Sequence, residues 1–149
     1  MQLEHERYMR RAIALTKNAP QLPFGSVIVR RESGDIAAEG WNKTTINPTW
    51  HGEMDAVNAL FRSGQRVDGS EFALYTTAEP CPMCMAAVLW SGIQIVVFGT
   101  SIRFLQARGW RQIDVLAEEI VRRSPGAQCT IVEGVLQHEC NRLFAAGPP

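Results

Sequence analysis

The sequence predicts an α/β fold built on a mixed sheet, parallel in its later half, with helices on both faces. Three observations carry that prediction. Strand-like and helix-like segments alternate, and a strand, helix, strand order recurs three times along the chain. The run IQIVVFG, residues 93–99, is almost continuously β-branched and apolar, as in a strand covered on both faces. A chain of 149 residues with 46% hydrophobic content can bury one real core, so a single domain over residues 1–149 is expected.

The elements follow in order. Between Leu3 and Thr16 the apolar positions Leu3, Tyr8, Met9, Ala12, Ile13 and Leu15 lie among charges, the pattern of an amphipathic helix that ends at Asn18 to Pro23. FGSVIVRR and IAAEGW, separated by ESGD, predict a β-hairpin with a glycine in its turn. The loop NKTTINPT then delivers the chain to His51. From Gly52, residues Met54, Val57, Ala59, Leu60 and Phe61 form a buried helical face closed by RSGQ. EFALYTT reads as a strand, PMCMAAVLW as a helix, and IQIVVFG as the next strand. After a loop around QARGW, residues 113–123 read as a helix, CTIVEGV as a last strand and LQHECNRLFAA as a closing helix.

Fifteen Lys and Arg against fifteen Asp and Glu leave no global basic field of the kind that draws a protein onto nucleic acid. The start MQLEHERYMRRAIALTK is charged from its fourth residue and lacks an apolar core with a cleavage site, so no secretory signal is expected and the cytoplasm is the expected location. The 23 residues from Pro80 to Ile102 carry no formal charge, a length that can span a bilayer. Pro80, Pro82, Ser91, Gly92, Gln94 and Gly99 divide them, however, into a short helix, a turn and a strand, as in a buried core. No membrane partner is expected.

Two of the four cysteines, Cys81 and Cys84, have C-x-x-C spacing. In a chain without a secretion signal that points to metal or redox chemistry before disulfides. One helical turn brings both sulfurs to the same side, Pro82 suits a first turn, and the positive end of the helix dipole favours thiolates. The spacing alone fits a redox pair, a structural zinc site or a catalytic zinc site. His51, at another predicted helix N-terminus, supplies a third ligand: one imidazole and two thiolates suit Zn²⁺ with a position left open. If His51 occupies the helix cap, Glu53 can face that open position, and Gly52 would ease the bend. A capping histidine and a first-turn acid are the plain alternatives for His51 and Glu53 taken singly. Cys129 and Cys140 read as small core residues, and His138 with Cys140 as structural, for want of a further ligand.

H-x-E followed by P-C-x-x-C, here HGE at 51–53 and PCPMC at 80–84, resembles the signature of the zinc-dependent cytidine and nucleobase deaminase superfamily. The resemblance extends through PFGSVIV, EGWN ending at Asn42, and ALYTTAEPCPMCMAAVLWSGI, and the guanine, fungal-type cytosine and tRNA adenosine deaminases look most alike. It implies a three-layer α/β/α sandwich with a central mixed five-stranded sheet, and a homodimer. It also implies one catalytic Zn²⁺ held by His51, Cys81 and Cys84, Glu53 as proton shuttle and Asn42 in contact with substrate. The reaction implied is hydrolysis of an amino group on a small nucleobase or nucleoside, guanine- or cytosine-like, to a carbonyl with release of ammonia.

Other residues keep two readings. Phe24, Trp50 and Trp90 suit a stacking wall or the core. Glu79 suits orientation of the zinc loop or a simple exposed acid. Asp114 suits a reader of a ring N–H or an N-cap of the following helix. The glycine in HGE looks like cytosine deaminases, whereas guanine and tRNA adenosine deaminases usually show alanine there, and SIRFLQARGWRQID, residues 101–114, matches none of the three. A tRNA substrate would need a cationic track; Arg103, Arg108 and Arg111 begin one, but the closing helix adds only Arg142, so a small molecule is favoured. A zinc domain without catalysis is the non-enzymatic alternative, in which Glu53 would have no task.

Overall fold

The structure is a computed structural model that describes residues 3–149; Met1 and Gln2, the first two positions of the predicted domain, lie outside the described residues. Helix α1 (His5–Leu15) buries Tyr8, Met9, Ala12 and Leu15, the stripe its helical spacing predicts. Strands β1 (Gly25–Arg30) and β2 (Ile36–Trp41) pair antiparallel, with Gly34 at φ 77° in their turn, a left-handed conformation suited to glycine. Then follow α2 (Gly52–Phe61), β3 (Phe72–Ala78), α3 (Pro82–Trp90), β4 (Ile95–Thr100), α4 (Ile102–Ala107), α5 (Ala117–Arg122), β5 (Thr130–Val132) and α6 (Gln137–Phe144).

The five strands form one sheet in the order β2-β1-β3-β4-β5. β1 runs antiparallel to β2 and to β3, while β3, β4 and β5 run parallel, the mixed sheet expected. Period-two alternation sorts its residues. Ile28, Leu74 and Val96 point to a layer made by α2, α3 and α5, where they meet Val57, Met85, Val88 and Ala117. Val27, Val29, Ala73, Tyr75 and Val97 point to the other layer, against Tyr8, Met9 and Ala12 of α1 and Cys140 of α6. These are the three layers. Each fully buried aliphatic or aromatic side chain contributes roughly 1.5–3 kcal/mol through removal from water.

Two glycines set how closely helices lie on the sheet. A Cβ at Gly40 of β2 would stand 2.4 Å from Ala56 N and from Gly52 O, so α2 rests directly on that strand. A Cβ at Gly99 of β4 would stand 2.3 Å from Cys140 Sγ, so α6 is seated in a notch. Thr100 Oγ1 donates to Asn141 Oδ1 at 2.8 Å and ties the same helix down.

The segment after β4 departs from expectation. The predicted loop contains α4, whose N-cap Ser101 accepts from Phe104 N at 3.1 Å, and the helix predicted over residues 113–123 is confined to α5. Asp114 does not cap it: the N-cap is Leu116, and the exposed Asp114 accepts from Gln106 Nε2 at 3.0 Å. The uncharged stretch from Pro80 to Ile102 divides into α3 and β4, and among the described residues no helix is long and apolar enough to cross a membrane.

Candidate metal and catalytic site

The chain after β2 and the chain after β3 each enter a helix through a residue with extended backbone. Those two residues are His51 (φ −68°, ψ 162°) and Cys81 (φ −64°, ψ 167°), the N-caps of α2 and α3. Neither side chain caps its own helix, so both are free to turn outward. The strands that launch the two helices are not neighbours, as a simple parallel pair would be: β1 lies between them, antiparallel to both, and the helices therefore leave in the same direction. Pro82 occupies the first turn of α3, where its missing N–H costs nothing, and Cys84 follows one turn on, fully buried.

His51 Nδ1 lies 3.5 Å from Cys81 Sγ and 3.6 Å from Cys84 Sγ, and all three donor atoms lie within 4.8 Å of one another. A tetrahedral ion with bonds of about 2.0 Å to nitrogen and about 2.3 Å to sulfur requires an N···S edge of about 3.5 Å. The spacing fits zinc, and so does the mixture of one imidazole and two thiols. Among the described residues this is the one group of three or more such ligands. His138 is exposed and Cys140 is buried on the sheet-facing side of α6, so they make no second site.

Hydrogen bonding from Cys84 and then from His51 pushes the Cys81 thiol down to about 4, while its bond to Cys81 and its burial push Cys84 far up. The hydrogen bond with Cys81 also raises the His51 imidazole against the lowering effect of burial.

Glu53 stands in the first turn of α2 and is only 3% exposed. Desolvation pushes its carboxyl above the usual range, against the opposing hydrogen bond from Thr76 Oγ1, 2.8 Å from Oε1. A first-turn acid kept only for the helix dipole would be solvated. Gly52 has no left-handed backbone; its value is space rather than bending, because a Cβ there would lie 2.6 Å from Phe24 O.

Asn42 is 8% exposed and begins the loop to His51. Its Oδ1 accepts from Thr44 N at 3.0 Å and Thr44 Oγ1 at 2.7 Å, which leaves Nδ2 as its spare donor. The side chain thus closes a turn and still has a donor to offer. Asp55 fastens the same loop, accepting from Trp50 Nε1 at 2.8 Å, from Trp41 N at 3.2 Å and from Lys43.

Glu79 is neither solvent-exposed nor a ligand. It is 7% exposed and accepts from Ile102 N at 2.9 Å and Ala117 N at 2.8 Å, the first residues of α4 and α5, so one carboxylate joins the zinc loop to both helices. Of the three aromatic candidates, Trp90 is excluded from the site: it closes the far end of α3 and is 92% exposed. Trp50 belongs to the loop, its indole bound to Asp55. Phe24 packs instead with two residues that sequence reasoning missed, Trp110 at 5.6 Å edge-on and Phe144 at 4.9 Å between centroids. Trp110 Nε1 donates to Phe144 O at 3.0 Å. Thr76 was missed as well, since a threonine in a strand reads as an ordinary β-branched residue.

Comparison with known proteins then decides the family. Residues 2–100 match the cytidine and deoxycytidylate deaminase zinc-binding region. The chain belongs to that family. It is 32% identical to guanine deaminase of Bacillus subtilis over 155 residues, covering 96% of this chain and 97% of that protein. It is 33% identical to the tRNA-specific adenosine deaminase of Bacillus subtilis over 150 residues, covering 96% and 88%. Among solved structures it resembles a mutant of NE0047 in complex with 8-azaguanine, with a TM-score of 0.81 at 25% identity over 93% of this chain and 81% of that one. Family and donor set agree on zinc as the cofactor. The chain is a zinc-dependent hydrolase acting on the C–N bonds of cyclic amidines, with the cytidine deaminase-like fold.

Proposed function

We propose that the chain removes the amino group of a free nucleobase or closely related heterocycle, guanine- or cytosine-like, and leaves a carbonyl and ammonia. The observation that carries this reading is a buried carboxylate, Glu53, held beside a three-donor cluster at the convergence of two helix N-termini. His51, Cys81 and Cys84 hold the metal. Zinc, when bound, supplies the Lewis acidity that makes water a nucleophile near neutral pH. Glu53 takes a proton from the attacking water and gives it to the ring nitrogen, so the amidine carbon becomes electrophilic. A second transfer through the same carboxylate lets the amine depart as ammonia. Asn42 offers Nδ2–H to an acceptor on the ring.

The small-molecule reading is supported by the resemblance to guanine deaminase over nearly the whole of both chains. A tRNA adenosine substrate is the second reading. Arg103, Arg108 and Arg111 are exposed, and among the described residues none of them joins an ion pair. The equal likeness to a tRNA-specific deaminase also speaks for it.

The test is ammonia release from guanine, cytosine, isocytosine, adenine, their nucleosides, aminotriazines and a tRNA anticodon stem at two salt concentrations. Turnover of a free base with little salt dependence is expected. Turnover of the RNA alone, falling steeply with salt, would replace the first reading by the second. The homodimer implied by the resemblance is checked by sedimentation of the same preparation.

A further inference from the structure

On the sheet face beneath α2, Ser26 and Thr76 stand beside the apolar residues Ile28, Leu74 and Val96. These two residues are direct cross-strand partners of β1 and β3, and neither has any exposed surface. Hydroxyls placed in an apolar layer cost stability unless each finds a partner. Here they find one another and then Glu53: Ser26 Oγ donates to Thr76 Oγ1 at 3.2 Å, and Thr76 Oγ1 donates to Glu53 Oε1 at 2.8 Å. Each hydroxyl has a single hydrogen, and here Ser26 gives its own to Thr76 while Thr76 gives its own to Glu53. Thr76 is polarised from behind by Ser26 and gives its only hydrogen forward.

The packing of α2 makes this arrangement possible. With no side chain at Gly52, the first turn of the helix lies close against the strand: a Cβ at that position would be 3.5 Å from Ser26 Oγ. Glu53 is thereby brought over the two hydroxyls, with one carboxylate oxygen committed to the protein.

We propose that Thr76, backed by Ser26, is the positioning residue for Glu53: the hydroxyl pair occupies Oε1, fixes the plane of the carboxylate and leaves Oε2 as the oxygen that exchanges protons with water and substrate. This rests on the deaminase reading for its kinetic consequence. Thr76 acts through Glu53 and is not itself a proton donor to the ring.

Thr76→Val keeps the shape and removes the hydroxyl. It should lower kcat by about 10- to 100-fold, the share of one hydrogen bond to a charged group, with KM within about twofold and zinc content unchanged. Thr76→Ser should restore kcat to within about threefold of the natural chain, and Ser26→Ala should lose only about three- to fivefold, as befits a more distant member. In a Glu53→Gln background Thr76→Val should have no further effect on residual turnover. A second readout does not depend on turnover: melting temperatures of the four zinc-loaded proteins of the Thr76→Val, Glu53→Gln cycle should be non-additive.

Full kcat in Thr76→Val, failure of Thr76→Ser to restore it, or additive melting temperatures would each overturn the proposal. A natural chain that releases no ammonia from any heterocycle would sink the deaminase reading alone. The melting cycle would still decide whether Thr76 holds Glu53.

Discussion

Substituting Gly40 by alanine adds one methyl group at the point where α2 rests on β2. That methyl would stand 2.4 Å from two backbone atoms of α2, Ala56 N and Gly52 O, and 2.9 Å from Asp55 Cβ. Ordinary contact begins near 3.4 Å, so the helix must withdraw by about 1 Å. Backbone cannot rotate aside as a flexible side chain can, and overpacking of this kind costs about 1–3 kcal/mol. For a chain of this size that is a fall in melting temperature of roughly 2–12 °C.

The larger effect is on the reaction. His51 and Glu53 travel with α2, whereas Cys81 and Cys84 belong to α3 and stay. A 1 Å displacement of one half of a reacting constellation costs on the order of 10²-fold in rate. The assay is kcat/KM on whichever heterocycle the ammonia-release panel shows to be turned over, beside metal content and a thermal melt. Gly40→Ala with natural activity and an unchanged melt would refute the argument, because it would show that the close approach of α2 to β2 does not set the site.

Glu53→Gln should retain zinc and lose ammonia release by about 10²- to 10⁴-fold, measured by metal analysis and ammonia assay; unchanged turnover would remove Glu53 as the shuttle. Glu79→Ala should leave the first N–H groups of α4 and α5 without their acceptor and cost about 1–3 kcal/mol for each, read by denaturant unfolding, with Glu79→Gln losing less. Removal of zinc with a chelator should make Cys81 the first cysteine alkylated at pH 6, since its thiol is pushed down to about 4 while burial pushes Cys129 and Cys140 up to about 11 and 12. Peptide mass mapping checks the order.

The metal ligands were legible because few residue types bind zinc and their spacing is restrictive. His51 read as a helix cap and Cys81 as a thiolate at a helix N-terminus, and the dihedral angles place both at N-caps. The strands were legible through IQIVVFG and the ESGD turn, where periodicity and turn chemistry agree. Sequence periodicity failed where elements are short: α4 has six residues, too few to show a repeat, and Asp114 offered a cap that Gln106 captures instead. Trp90 stood close to the cysteines in sequence, yet nine residues of helix at 1.5 Å each carry it about 13 Å away. Glu79, Trp110 and Phe144 gain their roles from partners 23 to 120 positions distant, which no local pattern records.

The notch at Gly99 and the packing of Phe144 on Phe24 together make the last helix a clasp between β4 and the segment that leads into β1. Ending the chain before Phe144 would take away a fully buried ring and the acceptor of Trp110 Nε1, so the loss should register in stability before it registers in chemistry.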